Sequence, residues 1–215
     1  MRTQDNGATR YITETFVAED ALLKEIRAKG ETLRPGMQVS PLEGKLLSVL
    51  AGLAGARRIL EIGTFVGYST LWLARALPDE GRLITLEYEE KHAALAEGFF
   101  ARSEVAEKIG LRRGAALDTL AAMRDESFDL VFIDAMKREY DEYLTQVEPM
   151  VAPGGLVIGD NSLLFGAMAG KPKQKVAAEA LESMRKFNAR LADSSRYRSI
   201  LLPTEEGLTV AQKIA

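Results

Sequence analysis

From Arg58 onward, short apolar runs alternate with longer stretches of helical spacing. The runs are Arg58–Ile62, Arg82–Leu86, Ile109–Arg113, Phe128–Ile133 and Gly155–Gly159, and they read as strands. Between them, Tyr68–Ala76, Glu90–Ser103, Ala116–Met123 and Tyr140–Val151 carry helical periodicity. Strands and helices alternating at this interval predict an α/β fold, with a mostly parallel sheet, right-handed crossovers and helices on both faces. Ahead of this region, Ile12, Phe16, Val17, Leu22, Leu23 and Ile26 predict one or two helices within Tyr11–Lys29, stopping at Gly30. Ser40-Pro41-Leu42-Glu43 reads as a capping box with proline at the first helical position. The helix that follows should bury Leu46, Leu47, Val49, Leu50 and Leu53. Past Gly159 the rhythm changes: a polar loop (Leu164–Lys175), a helix over about Val176–Ala192, and two runs, Tyr197–Leu202 and Leu208–Lys213. The turn Pro203–Gly207 between those runs predicts an antiparallel hairpin at one sheet edge.

The 215 residues favour a single domain, and 47% hydrophobic content supplies an ample core. With 28 basic against 31 acidic residues the net charge is -3, which gives no global attraction for nucleic acid. The absence of cysteine excludes disulfides, thiolate metal sites and cysteine nucleophiles. It also fits a cytoplasmic enzyme. No apolar run reaches the roughly 20 residues of a membrane span, and the polar start, Met1 to Asn6, lacks the core of a signal peptide.

Candidate chemistry gathers at strand ends, where ligands of open α/β sheets lie. After the first strand, Gly63 and Gly67 stand four apart and cannot form G-x-G-x-x-G. Glu61 just before them would repel a pyrophosphate, so a cationic, phosphate-free ligand such as S-adenosylmethionine fits better. Ser69 reads equally as a helix-start hydroxyl or a ligand contact. Glu87, ending the second strand, is placed to accept both ribose hydroxyls, a role shared with dinucleotide folds, so an oxidoreductase stays open. Asp134 ends the fourth strand and Asp160-Asn161 the fifth; together they offer three hard oxygen ligands suited to Mg²⁺, Mn²⁺ or Ca²⁺. Lys137, three residues after Asp134, is a candidate general base. The single histidine, His92, lies outside this cluster and reads as a surface or adenine-edge residue.

The run L-E-I-G-T-x-x-G-Y-S at Leu60–Ser69, together with Phe132-Ile133-Asp134, Gly159-Asp160-Asn161 and Gly207-Leu208-Thr209, resembles the cation-dependent O-methyltransferases of the caffeoyl-CoA and catechol type, a class I S-adenosylmethionine-dependent family. The resemblance implies a Rossmann-like seven-stranded sheet in the order 3-2-1-4-5-7-6. It carries cofactor contacts onto Val39, Glu61, Gly63, Ser69, Glu87, Ala116 and Asp134, metal ligation onto Asp134, Asp160 and Asn161, and base function onto Lys137. It further implies a homodimer, with N-terminal helices (about 11–55) packing on the core and covering the active site. Two departures stand out. Met136 replaces the second acid of D-A-D-K, where it would pack against the methyl-sulfonium region, and Ser162–Phe165 lacks the usual aromatic after Asp-Asn. The expected activity is methyl transfer to one hydroxyl of an aromatic vicinal diol, of catechol or hydroxycinnamoyl type. Two alternatives remain. One is methylation of a hydroxylated uridine in transfer RNA through Arg34, Arg138 and the lysines of 171–175, against which the net acidity counts. The other is a cofactor-binding module without turnover, against which the intact Asp134, Lys137, Asp160 and Asn161 count.

Overall fold

The computed structural model describes residues 7–204 and 206–214. The polar start at residues 1–6 and Glu205 of the hairpin turn lie outside the described residues. Three helices precede the sheet: α1 (Gly7–Phe16), α2 (Ala21–Leu33) and α3 (Pro41–Leu53). Asp20 caps α2 by accepting from the Leu23 amide at 2.8 Å. The helix runs past Gly30, the expected stop. A Cβ at position 30 would collide with the Gln38 side chain, so this glycine permits close packing and does not end the helix. The Ser40–Glu43 capping box forms as read, with reciprocal bonds of 3.2 and 2.8 Å.

The strands are β1 (Arg58–Ile62), β2 (Arg82–Glu87), β3 (Ile109–Arg113), β4 (Phe128–Ile133), β5 (Val151–Gly159), β6 (Tyr197–Leu202) and β7 (Leu208–Lys213). They form one seven-stranded sheet in the order β3-β2-β1-β4-β5-β7-β6, the order the resemblance implied. The first five strands are mutually parallel, and β7 runs antiparallel to both β5 and β6. β5 begins at Val151, earlier than expected. A register shift against β4 between Phe128 and Leu130 accommodates its Pro153-Gly154 pair. The crossover helices are α4 (Tyr68–Ala76), α5 (Glu90–Phe100), α6 (Ala116–Ala121), α7 (Tyr140–Val147) and α8 (Ala178–Leu191). Several end sooner than their apolar spacing suggested: α5 and α6 give way to turns, and α7 to a 3-10 turn over Glu148–Met150 that contains Pro149.

Alternate strand residues feed two cores, as the two-residue period of a strand requires. Ile59, Leu130, Phe132 and Ile158 face Leu23, Ile26, Leu47 and Leu71, while Leu60, Ile62, Val131, Ile133 and Val157 face Tyr140, Leu144, Met184 and Phe187. The buried face expected on α3 is narrower than read. Leu47 is fully buried and Leu46 and Leu50 partly so, but Val49 and Leu53 are exposed at 43% and 81%. Among the described residues no helix is long and apolar enough to cross a membrane.

Candidate active site

The sheet ladder continues one residue beyond β1, β4 and β5, which sets their carboxyl ends level. Gly63 N donates to Leu86 O at 3.0 Å, Asp134 N to Ile62 O at 2.9 Å and Asp160 N to Ile133 O at 3.0 Å. Gly63, Asp134 and Asp160 therefore stand in a row at one edge. Gly63 has φ +100°, and a Cβ on it would overlap the carbonyl of Asp134, so only glycine lets the β1 turn press against the end of β4. Gly67 (φ +86°) starts α4 without a side-chain cap, and a Cβ there would strike the Phe100 ring. Among the described residues, positive φ outside glycine is confined to Phe65 in this turn and to Asn161, Leu164 and Phe165 after β5. Backbone strain of this kind gathers where a fold holds a ligand, and both loops lie at the carboxyl edge.

Glu87 braces the first of these loops. Its Oε2 accepts from the amides of Thr64 (3.2 Å) and Phe65 (2.7 Å), and its Oε1 from Glu89 N at 2.9 Å. A carboxylate has about four acceptor positions. Three are taken by backbone amides, two on Oε2 and one on Oε1. His92 packs against the same turn, edge-on to Phe65 at 4.8 Å with Nδ1 3.6 Å from Glu87 Oε1, and is half-buried.

Glu61 is wholly buried and bonded to hydroxyls alone. Ser69 Oγ donates at 2.6 Å and Thr85 Oγ1 at 2.7 Å, and Thr70 Oγ1 donates as well. Because the Thr85 proton goes to Glu61, the 2.6 Å contact between Thr64 and Thr85 must run from Thr64. Burial pushes the Glu61 carboxyl up to about 7, against the opposing pull of the three hydroxyls, and the Asp134 charge adds to the rise.

At the other end of the row, Lys137 Nζ donates to Asp134 Oδ1 at 2.8 Å and to the Tyr140 hydroxyl at 2.7 Å. Tyr140 in turn donates to Ile133 O (3.0 Å) and Asp160 O (2.9 Å), tying the ends of β4 and β5 together. Asp160 is fully buried, its Oδ1 accepting from Asn161 N at 2.7 Å, and Asn161 is 2% exposed with φ +57°. The described residues contain no cluster of three His, Cys, Asp or Glu able to cage a metal. What stands here is two carboxylates and an amide, a hard-oxygen set that suits a cation retaining other positions for water or substrate. Val39, 2% exposed between α2 and α3, and Ala116, the half-buried first residue of α6, complete the cofactor set implied by resemblance.

The sequence matches the model of a family described as O-methyltransferase over residues 13–214. The chain belongs to the O-methyltransferase family. A catechol O-methyltransferase of Niastella koreensis is 40% identical to this O-methyltransferase over 196 residues, covering 89% of this chain and 87% of the relative. Among solved structures, the O-methyltransferase TomG of Streptomyces achromogenes, involved in tomaymycin synthesis and in complex with SAM, is 38% identical with a TM-score of 0.87, covering 98% of this chain and 97% of TomG. An O-methyltransferase from Bacillus cereus in complex with SAH is 32% identical, also at 0.87, covering 99% of this chain and all of that one (100%).

In this O-methyltransferase, Met136 is 38% exposed beside Asp134, its sulfur 3.3 Å from Arg138 Nη2. The segment after Asn161 packs on the hairpin turn: Ser162 N donates to Gly207 O and Leu163 N to Glu206 O, each at 2.9 Å. Of the loop lysines raised as phosphate contacts, Lys173 pairs with Glu206 at 2.9 Å, while Lys171 and Lys175 are exposed. Sequence reasoning missed Tyr140 and the threonine relay of Thr64, Thr70 and Thr85. A signal for Tyr140 was present, since a tyrosine three residues after Lys137 at a helix start returns to the same strand end.

Proposed function

We propose that this O-methyltransferase transfers a methyl group from S-adenosylmethionine to one hydroxyl of a catechol-type aromatic diol, with a divalent cation held by Asp134, Asp160 and Asn161. The observation that carries this reading is the joining of the Asp134–Lys137 pair to the Asp160-Asn161 strand end through the Tyr140 hydroxyl, one strand away from the glycine turn. The catechol O-methyltransferase relative supports the acceptor class, and the SAM and SAH complexes support the donor.

S-adenosylmethionine supplies a methyl group on an electron-poor sulfonium. The turn at Gly63–Ser69 seats it, with Val39 and Ala116 as apolar contacts and Glu87 accepting the ribose hydroxyls. A divalent cation held by Asp134, Asp160 and Asn161 would supply Lewis acidity to the acceptor, which would lower the pKa of the attacking hydroxyl. Lys137 accepts the hydroxyl proton at Nζ, and Tyr140 holds that nitrogen toward Asp134. Fixing acceptor and donor in one orientation converts a bimolecular encounter into an intramolecular one. The N-terminal helices cover the site and exclude water, and the working unit is a cytoplasmic homodimer.

The reading is tested by a turnover panel of catechol, a hydroxycinnamoyl thioester, simple phenol and hydroxyuridine-containing transfer RNA, run with Mg²⁺. Catechol-type diols should be methylated and phenol not, because phenol lacks the second oxygen. Methylation of transfer RNA alone would replace this acceptor assignment.

A further inference from the structure

Because Gly67 offers α4 no side-chain cap, the first turn of that helix is held by the side chains of its own first three residues. Ser69 and Thr70 point inward to Glu61. Tyr68, 1% exposed, points the other way, and its hydroxyl donates to Glu19 Oε1 at 2.8 Å. Glu19 lies in the linker between α1 and α2. Arg27 of α2 grips the same carboxylate with two bonds, Nε to Oε1 at 2.8 Å and Nη2 to Oε2 at 2.9 Å, a fork geometry that fixes the carboxylate's orientation. The Glu19 side chain is 9% exposed against 38% for Arg27, so the carboxylate is largely shielded from water, and burial of Tyr68 itself raises its phenol above the ordinary range. Two helical turns along, Arg75 donates to Asp20 at 2.6 Å, and Asp20 is also the cap of α2. One face of α4 thus holds both residues of the Glu19-Asp20 pair. Trp72 lies between these struts, edge-on to Tyr68 at 6.5 Å and close against Gly44 of α3.

We infer that Glu19 is a positioning residue: through Tyr68 it couples the N-terminal helices to the turn that seats the cofactor, so that cofactor binding and closure of this segment occur together. The inference rests on the reading that residues 63–69 seat S-adenosylmethionine. Displacing the start of α4 strains the Tyr68–Glu19 bond, and displacing α2 pulls on the first turn of α4. A purely structural tie would contribute to folding stability alone. A coupling tie makes α2 register the ligand.

The test is hydrogen exchange and calorimetry of the full chain with S-adenosylhomocysteine as probe, comparing wild type, Tyr68→Phe, Glu19→Gln and Glu25→Gln. Tyr68→Phe removes one hydroxyl and keeps the ring. If it fails to fold, Glu19→Gln in the linker carries the same comparison. Glu25→Gln breaks the α2 pair with Arg102, which does not touch α4, and serves as control. In wild type the probe should slow exchange in both 63–70 and 17–33. In Tyr68→Phe and Glu19→Gln, protection of 63–70 should persist while that of 17–33 is lost, with affinity falling about five- to tenfold. Glu25→Gln should match wild type. Full protection of both segments in Tyr68→Phe or Glu19→Gln, or an equal loss in Glu25→Gln, would overturn the coupling. Binding to wild type that leaves 63–70 unprotected would instead overturn the cofactor seat itself.

Discussion

Glu61 is a buried carboxyl that accepts hydrogen bonds from three hydroxyls, and the charge of another acid, Asp134, disfavours its ionised form. Its folded pKa of about 7 lies above the ordinary 4.5, so between those values the folded protein holds a proton that the unfolded chain has released. Stability from this group is intact below about pH 4.5 and declines as pH rises toward 7, by on the order of 3 kcal/mol at most. Glu61→Gln should therefore be more stable than wild type at pH 8 and show little advantage at pH 5, read from urea unfolding at both values. A stability difference that does not change with pH would exclude this account. Candidate residues at strand ends are legible because a carboxylate after an apolar run is conspicuous, as at Asp134 and Asp160. The hydroxyls of Thr64, Thr70, Thr85 and Tyr140 are not, because a buried threonine or tyrosine in sequence resembles any half-apolar core residue until the fold supplies its partner.

At the level of elements, most strands follow the apolar runs to within a residue, and α4 and the Ser40 cap match outright. The exceptions have local causes: Pro153-Gly154 sits in a bulge, Gly30 accommodates Gln38, and Val49 and Leu53 share the apolar character of α3 without sharing its buried face. Periodicity reports that a residue is apolar, not which neighbour covers it. That gap bears on assembly, because α1 has no buried residue and exposes Tyr11 and Phe16 at 64% and 62%, while α3 exposes Val49 and Leu53. On the dimer reading these faces are covered by a second copy, and burying them offsets the cost of exposing apolar surface to water. Light scattering should give twice the chain mass for wild type, and Phe16→Glu with Leu53→Glu should give the chain mass. A monomeric wild type would remove the homodimer from the account.

For the whole molecule, alternation of runs and helices was enough to predict a parallel sheet, but not the order of its strands. That order came from the resemblance, and it decides the chemistry: only with β1, β4 and β5 adjacent do the glycine turn, the Asp134–Lys137 pair and Asp160-Asn161 meet on one edge. Sequence distance conceals this meeting, since the turn and Asn161 are nearly one hundred positions apart. The central claim is that this edge works through a divalent cation as well as a methyl donor. Its most direct test is the rate of catechol methylation by metal-stripped wild type and Asp160→Ala across a Mg²⁺ titration, with S-adenosylhomocysteine affinity measured in parallel. The account predicts that Mg²⁺ restores wild type, that Asp160→Ala stays at least about a hundredfold slower at every concentration, and that cofactor affinity changes little. Full activity in the stripped wild type, or in Asp160→Ala, would contradict it.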